Sequence, residues 1–149
     1  MCKLFLTYVR PLLEYASTVW NPKEIGLCEQ LEAIQRKFTR RLFGRNAPVY
    51  EQRLNLLNMP SLFSRRDNAD LTFAFKLIHN IIDLDKSAVG IELSQGITRS
   101  SGIDLRVRRA KYEYVKKCFN YSIAHKWNKL PVTTKTAKSL SDFKSRISR

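Results

Sequence analysis

With 149 residues, the chain is long enough for one domain or two small helical subdomains around a real core, and its 44% apolar and 27% charged side chains exclude disordered and fibrous classes. Lysine and arginine number 27 against 13 acids, a net charge of +14 that draws polyphosphates by long-range Coulomb attraction. The excess is uneven: residues 1–50 carry eight basic and four acidic side chains, 51–100 six of each, and 101–149 thirteen against three.

From the start of the chain, Leu4, Phe5, Tyr8, Leu12, Leu13, Ala16, Val19 and Trp20 recur at helical period, with Pro11 able to open a helix but not to continue one. This predicts a short helix, a kink and a second helix ending at Asn21-Pro22. Ile25, Leu27, Cys28, Leu31, Ile34, Phe38 and Leu42 then give the clearest amphipathic pattern, stopped by Gly44. A shorter helix is predicted from Tyr50 to Leu57, closed by Asn58-Met59-Pro60. Ser61 is placed to cap a long helix running through Leu71, Phe75 and Ile78 to Ile82.

Between Asp83 and Ser101 the period is lost, and Gly90, Gly96 and Gly102 lie in or beside this stretch, which reads as a linker. Ile103, Leu105 and Val107 alternate with Asp104, Arg106 and Arg108, the pattern of a short strand or hairpin near 103–109. One helix is expected from Ala110 to Leu130, with Tyr112, Val115, Phe119, Ile123 and Trp127 facing the core and Pro131 as its stop. Ser139 and Asp142 form a capping box for a last helix through Phe143 and Ile147. The expected fold is all-α with two small helical subdomains, divided as residues 1–82, a linker at 83–102 and a basic extension at 103–149.

The chemistry-bearing residues are sparse. Cys2, Cys28 and Cys118 are odd in number and widely spaced, which excludes a disulfide framework and points to a reducing, intracellular compartment, nuclear or cytoplasmic. The apolar start is cut by Arg10-Pro11 without a signal-peptide cleavage pattern, and no stretch approaches the ~18–20 apolar residues of a membrane span. His79 and His125 are far apart, and a Cys118–His125 pair lacks two further ligands, so neither a metal nor a cofactor is expected. The close acidic pairs Asp67/Asp70 and Asp83/Asp85 sit where helix surfaces and exits place solvated carboxylates, outside the setting a two-metal transferase needs. Glycine-rich phosphate loops and a G-x-S-x-G elbow are missing, so no independent catalysis is expected.

Positive charge remains as the functional signal. Arg36, Lys37, Arg40 and Arg41 form a compact patch one turn deep, with Glu29 and Glu32 available to neutralise part of it and Glu32 spaced to pair with Arg36. Arg106, Arg108, Arg109, Lys111, Lys116 and Lys117 make a denser cluster, with Arg106 and Arg108 on one side of an extended segment and only Asp104 and Glu113 near in sequence. Tyr114 and Tyr121 are the aromatics placed to stack on bases, because Tyr112, Phe119 and Trp127 fall on the core stripe.

The segment Tyr8-Val9-Arg10-Pro11-Leu12-Leu13-Glu14-Tyr15, continuing to Val19-Trp20-Asn21-Pro22, resembles the region downstream of the catalytic palm in reverse transcriptases of non-LTR (LINE-type) retrotransposons, especially the jockey-like group. Further blocks agree in order: Leu31-Glu32 with Ile34 to Arg41; Arg53-Leu54 to Leu57, then Met59-Pro60-Ser61-Leu62 with Arg65-Arg66; Phe75 to His79; and Trp127-Asn128-Lys129-Leu130-Pro131, followed by Ser139-Leu140 and Phe143-Lys144. The resemblance implies a thumb plus C-terminal extension that grips RNA or an RNA–DNA duplex beside the polymerase and endonuclease parts of the same polyprotein. The palm with its Tyr-x-Asp-Asp signature is missing here, which implies a fragment of an RNA-directed DNA polymerase without the catalytic acids. The chain departs from the family at Ser122, where an arginine is frequent. The alternative expectation is a helical protein-interaction scaffold with a basic face.

Overall fold

A computed structural model describes residues 2–94 and 102–148. Its described residues are mostly helical, with one isolated antiparallel bridge, Leu93 to Leu105, in place of the expected strand or hairpin. The fold is all-α. The chain separates into two compact units, residues 1–67 and 68–149, and the boundary falls within a continuous helix.

In the first unit, α1 (Cys2–Leu4) runs through a π-helical turn at Phe5–Val9 into α2 (Arg10–Glu14). Pro11 is the cause: it offers no N–H and its ring crowds the carbonyl four residues back, so the preceding turn widens and Arg10 N–H reaches Phe5 O. The expected second helix to Asn21 is interrupted. Ala16 adopts a left-handed conformation at φ 49°, and only the short α3 (Ser17–Trp20) follows. Next come α4 (Ile25–Phe43), ended at Gly44 with φ 70°, and α5 (Tyr50–Leu56).

The long helix α6 (Leu62–Ile78) ends earlier than Ile82, because Asn80 turns left-handed at φ 54°. Asp70, which the helical pattern places in solvent, is buried at 1% exposure.

The core of the first unit departs most from the amphipathic expectation. Ile25, Leu27 and Ile34 of the apolar stripe on α4 are exposed, whereas the buried residues of that helix are Glu32, Gln35 and Thr39. Their spacing puts them on one face, and each of the three side chains is hydrogen-bonded there, Gln35 through its Nε2 alone. Glu32 accepts from the Tyr50 hydroxyl, from Leu62 N–H at 3.2 Å and from Phe63 N–H at 3.0 Å. Gln35 Nε2 donates to Tyr50 Oη and to Pro60 O, both at 3.1 Å. Thr39 Oγ1 accepts from the buried Arg53 at 3.2 Å, and Arg53 also donates to Pro48 O at 2.6 Å and Arg36 O at 3.3 Å.

An apolar cluster of Phe5, Leu54 and Met59 packs beside this network, with Phe5 and Phe38 stacked at 4.3 Å.

The second unit has an apolar core. Phe75 of α6 stacks on Phe143 at 4.3 Å, and Trp127, Ile123, Leu71, Ile91 and Leu105 close around them. Ile91 belongs to the stretch read as a linker; Gln95 to Ser101 of that stretch, including Gly96, lie outside the described residues. The single helix expected from Ala110 to Leu130 is two, α7 (Glu113–Lys117) and α8 (Phe119–Asn128), separated by Cys118 in extended conformation (ψ 148°). The break re-aims α8 so that Phe119 meets Phe73 edge-on at 5.7 Å. After α9 (Val132–Lys135), α10 (Leu140–Ile147) opens as expected, with Ser139 Oγ accepting from Asp142 N–H at 3.1 Å.

Removing the Glu32 carboxylate strands two backbone donors and a phenol in a buried place. Glu32→Ala is expected to destabilise the protein by about 3 kcal/mol in urea denaturation, and Tyr50→Phe by about 1 kcal/mol. A second measurement concerns Tyr50, whose phenol is pushed well above its ordinary range by burial and then by its bond to the Glu32 carboxylate. The folded state therefore favours the protonated phenol. Its contribution is complete below the unfolded value of about pH 10 and declines as pH rises beyond it. In alkaline denaturation Tyr50→Phe is expected to lose stability less steeply than the parent above that pH.

Candidate nucleic-acid interface

The cationic stretch beyond the Leu93–Leu105 bridge is held by side chains from the end of α8. Trp127, at 0% exposure, donates its Nε1–H to Ile103 O at 2.9 Å. Asn128 pairs with both backbone groups of Leu105, accepting from its N–H at 2.9 Å and donating to its carbonyl at 2.8 Å. A side-chain amide thus acts as a one-residue strand partner.

Asp104, between these two anchors, receives Lys135 Nζ at 2.8 Å. That lysine is buried at 2% exposure and also donates to Asn128 O at 3.1 Å, while its own carbonyl contacts His79 Nε2 at 2.9 Å. His79 is thereby engaged in structure.

Beyond these anchors the chain leaves the core. Arg106, Arg108, Arg109, Lys111, Lys116 and Lys117 are all exposed. Arg106 and Arg108 share a side, as alternation predicts, and both reach Glu92, Arg106 at 3.4 Å. Glu92 is remote in sequence from these arginines; only the bridge brings it there, through Arg106 N–H to Glu92 O at 2.8 Å. Asp104, the acid near in sequence, is turned to Lys135 instead. Lys116 pairs with Glu113, and this hydrogen bond holds the Glu113 carboxyl below its usual range and Lys116 above its own.

Two aromatic rings accompany these cations. Tyr114 is exposed as expected, at 66%, but Tyr112, expected in the core, is exposed too, at 52%. Tyr112 precedes α7 in extended backbone (φ −119°, ψ 147°), which takes it off the helical stripe and lays it against Tyr114 with centroids 5.5 Å apart and planes 12° from parallel. Lys111 Nζ stands 5.5 Å from the Tyr112 ring centre. Tyr121 is half-buried and packs on His125 at 4.7 Å, which removes it from the stacking candidates.

In the first unit, Arg36, Lys37, Arg40 and Arg41 are exposed on α4. Arg36 bonds Glu29 at 2.9 Å and lies 5.2 Å from the Tyr50 ring centre. The expected Glu32–Arg36 pair does not form, because Glu32 faces inward.

Among the described residues no three His, Cys, Asp or Glu side chains converge as a metal site, and no helix is long and apolar enough to cross a membrane. Asp85 of the second acidic pair is tied up locally, its carboxyl held low by the Ser87 hydroxyl and then by Ser87 N–H. Compared with known proteins, the chain matches no family model, no curated protein and no solved structure.

The Asn128 amide is the part of this arrangement most open to a direct check. Asn128→Ala leaves Leu105 N–H and C=O without their side-chain partner and is expected to cost about 2 kcal/mol in urea denaturation. Hydrogen exchange at Leu105 is expected to accelerate in the same variant.

Proposed function

We propose that this chain is a nucleic-acid-binding module, the holding part of a non-LTR-type reverse transcriptase without the catalytic palm, and that its ligand is RNA or an RNA–DNA duplex. One observation carries the reading: Arg106, Arg108, Arg109, Lys111, Lys116 and Lys117 are all exposed, and the ion pairs of Arg106 and Arg108 with Glu92 and of Lys116 with Glu113 are exposed too. Ion pairs as exposed as these contribute little to folding, so internal stability does not account for concentrating the charge. Phosphates answer it, because each one neutralised releases about one counterion and adds entropy that no internal pair supplies. The resemblance of the sequence blocks to those of the retroelement enzymes supports the same reading. The α4 patch of Arg36, Lys37, Arg40 and Arg41 is the second contact surface, and catalysis belongs to parts of the polyprotein outside this sequence.

A second reading, a helical protein-interaction scaffold, is favoured by the first unit. Leu12, Tyr15, Val19 and Ile25 are exposed there, and Trp20, Pro22, Leu27, Leu31 and Ile34 line a groove. A largely apolar surface groove of this kind marks a protein partner more often than a phosphate ligand. Saturable binding to an acidic protein that competing RNA does not displace would select this reading.

Fluorescence anisotropy with labelled RNA and an RNA–DNA hybrid tests the first. Affinity is expected to fall steeply between about 50 mM and about 200 mM salt. Reversing Arg106, Arg108 and Arg109 to glutamate is expected to weaken binding about tenfold or more and to flatten the slope of log K against log salt by about one for each phosphate no longer neutralised. Absence of binding at the lower salt, or unchanged affinity in the triple variant, overturns the proposal.

A further inference from the structure

We infer that the Tyr112–Tyr114 pair is a base-stacking platform, so that the second unit binds single-stranded nucleic acid in preference to duplex; this rests on the nucleic-acid reading above and specifies its ligand. Two large aromatic rings in solvent forgo the burial that would stabilise the fold, and their mutual contact recovers only part of it. Their exposures of 52% and 66% leave ring surface outside the pair. A near-parallel, offset geometry is the one in which a further ring extends the stack favourably.

The charge around the pair has the matching layout. Lys111 stands over Tyr112, Arg109 lies three residues before it, and Lys116 and Lys117 follow Tyr114 on α7. A strand whose base stacks on the tyrosines thus has cations before and after the platform for its flanking phosphates.

Duplex nucleic acid cannot use the platform in this way. Its bases are already stacked on both faces, and only a terminal pair offers a free one. A single strand presents every base face, and stacking on an aromatic side chain is tolerant of sequence. Stacking reads the base and not the sugar, so single-stranded RNA and DNA bind alike. The platform owes its form to the extended backbone at Tyr112; a helix begun at Ala110 would have turned that ring into the core stripe.

The test uses the full chain with labelled oligouridine and oligothymidine of roughly 20 nucleotides and a duplex of equal length. The parent is expected to bind the single strands more tightly than the duplex. Tyr112→Ala with Tyr114→Ala is expected to weaken single-strand binding about fivefold or more and duplex binding by less than about twofold. Tyr112→Phe with Tyr114→Phe keeps the ring faces and is expected to restore parent affinity. Circular dichroism of both double variants verifies that the fold is retained, as the exposure of the two rings leads one to expect.

If the alanine variant binds single strands as the parent does while the glutamate triple variant has lost affinity, the platform is refuted and the phosphate reading stands. If the phenylalanine variant is as weak as the alanine one, the hydroxyls rather than the ring faces carry the contact, and the inference fails. If the parent binds neither single strand nor duplex, the proposed function fails with it.

Discussion

The buried carboxylate of Glu32 is the constraint on which the first unit depends. One side chain at the middle of α4 accepts from the first two N–H groups of α6 and from the phenol of α5, so three helices meet at two oxygen atoms. A helix start leaves donors without partners and carries partial positive charge, and both conditions favour an anion at that point. Ser61 completes the job by accepting from Ser64 N–H at 3.1 Å. With Gln35 on Pro60 O and Arg53 on Thr39, the unit closes around polar bonds whose geometry is directional, where a purely apolar interface would tolerate sliding. The same network frees the outer side of α4 to display Arg36, Lys37, Arg40 and Arg41.

The second unit solves a similar problem with the polarity reversed. Its core is aromatic and aliphatic, centred on Trp127, Phe75 and Phe143, and polar groups at its margin attach residues Ile103 to Leu105. Trp127 and Asn128 are adjacent in sequence and clamp residues two apart, Ile103 and Leu105, while Lys135 holds Asp104 between them. These residues, which make one bridge among the described residues, are fixed by side-chain imitation of a strand. The adjoining stretch from Arg106 to Lys117 can therefore be both exposed and positioned, a combination that binding to a polyanion rewards because less ordering remains to be done on association.

Blocks that are distant in sequence meet inside the first unit. Glu14 of the Arg-Pro-Leu-Leu-Glu-Tyr stretch pairs with Arg65, with one N–O contact at 2.8 Å, and Asn21 accepts from Arg66 at 3.3 Å. Glu32 takes its place against Leu62 and Phe63 by the same logic. Local pattern placed α4, α5, the capped start of α6 and the Ser139 cap of α10, since caps and period are properties of a few consecutive residues. It misjudged which face of α4 is buried, because Glu32, Gln35 and Thr39 read as solvent-facing until their partners on α5 and α6 are known.

The sequence by itself determined the all-helical class, the concentration of positive charge in the last third and the exposure of the cations from Arg106 to Lys117, since these follow from composition, period and the scarcity of nearby acids. Only the tertiary structure decided that Glu92 meets Arg106 and Arg108, that Asp104 is taken by Lys135 and that Asp70 is buried. The break at Cys118 and the extended backbone at Tyr112 were likewise beyond a helical count, and they moved Tyr112 from the core stripe to a stacked pair in solvent. The physical reason is common to all of them. A side chain's environment is set by what the fold brings across from elsewhere in the chain, and a periodic pattern holds only for as long as the helix that carries it continues.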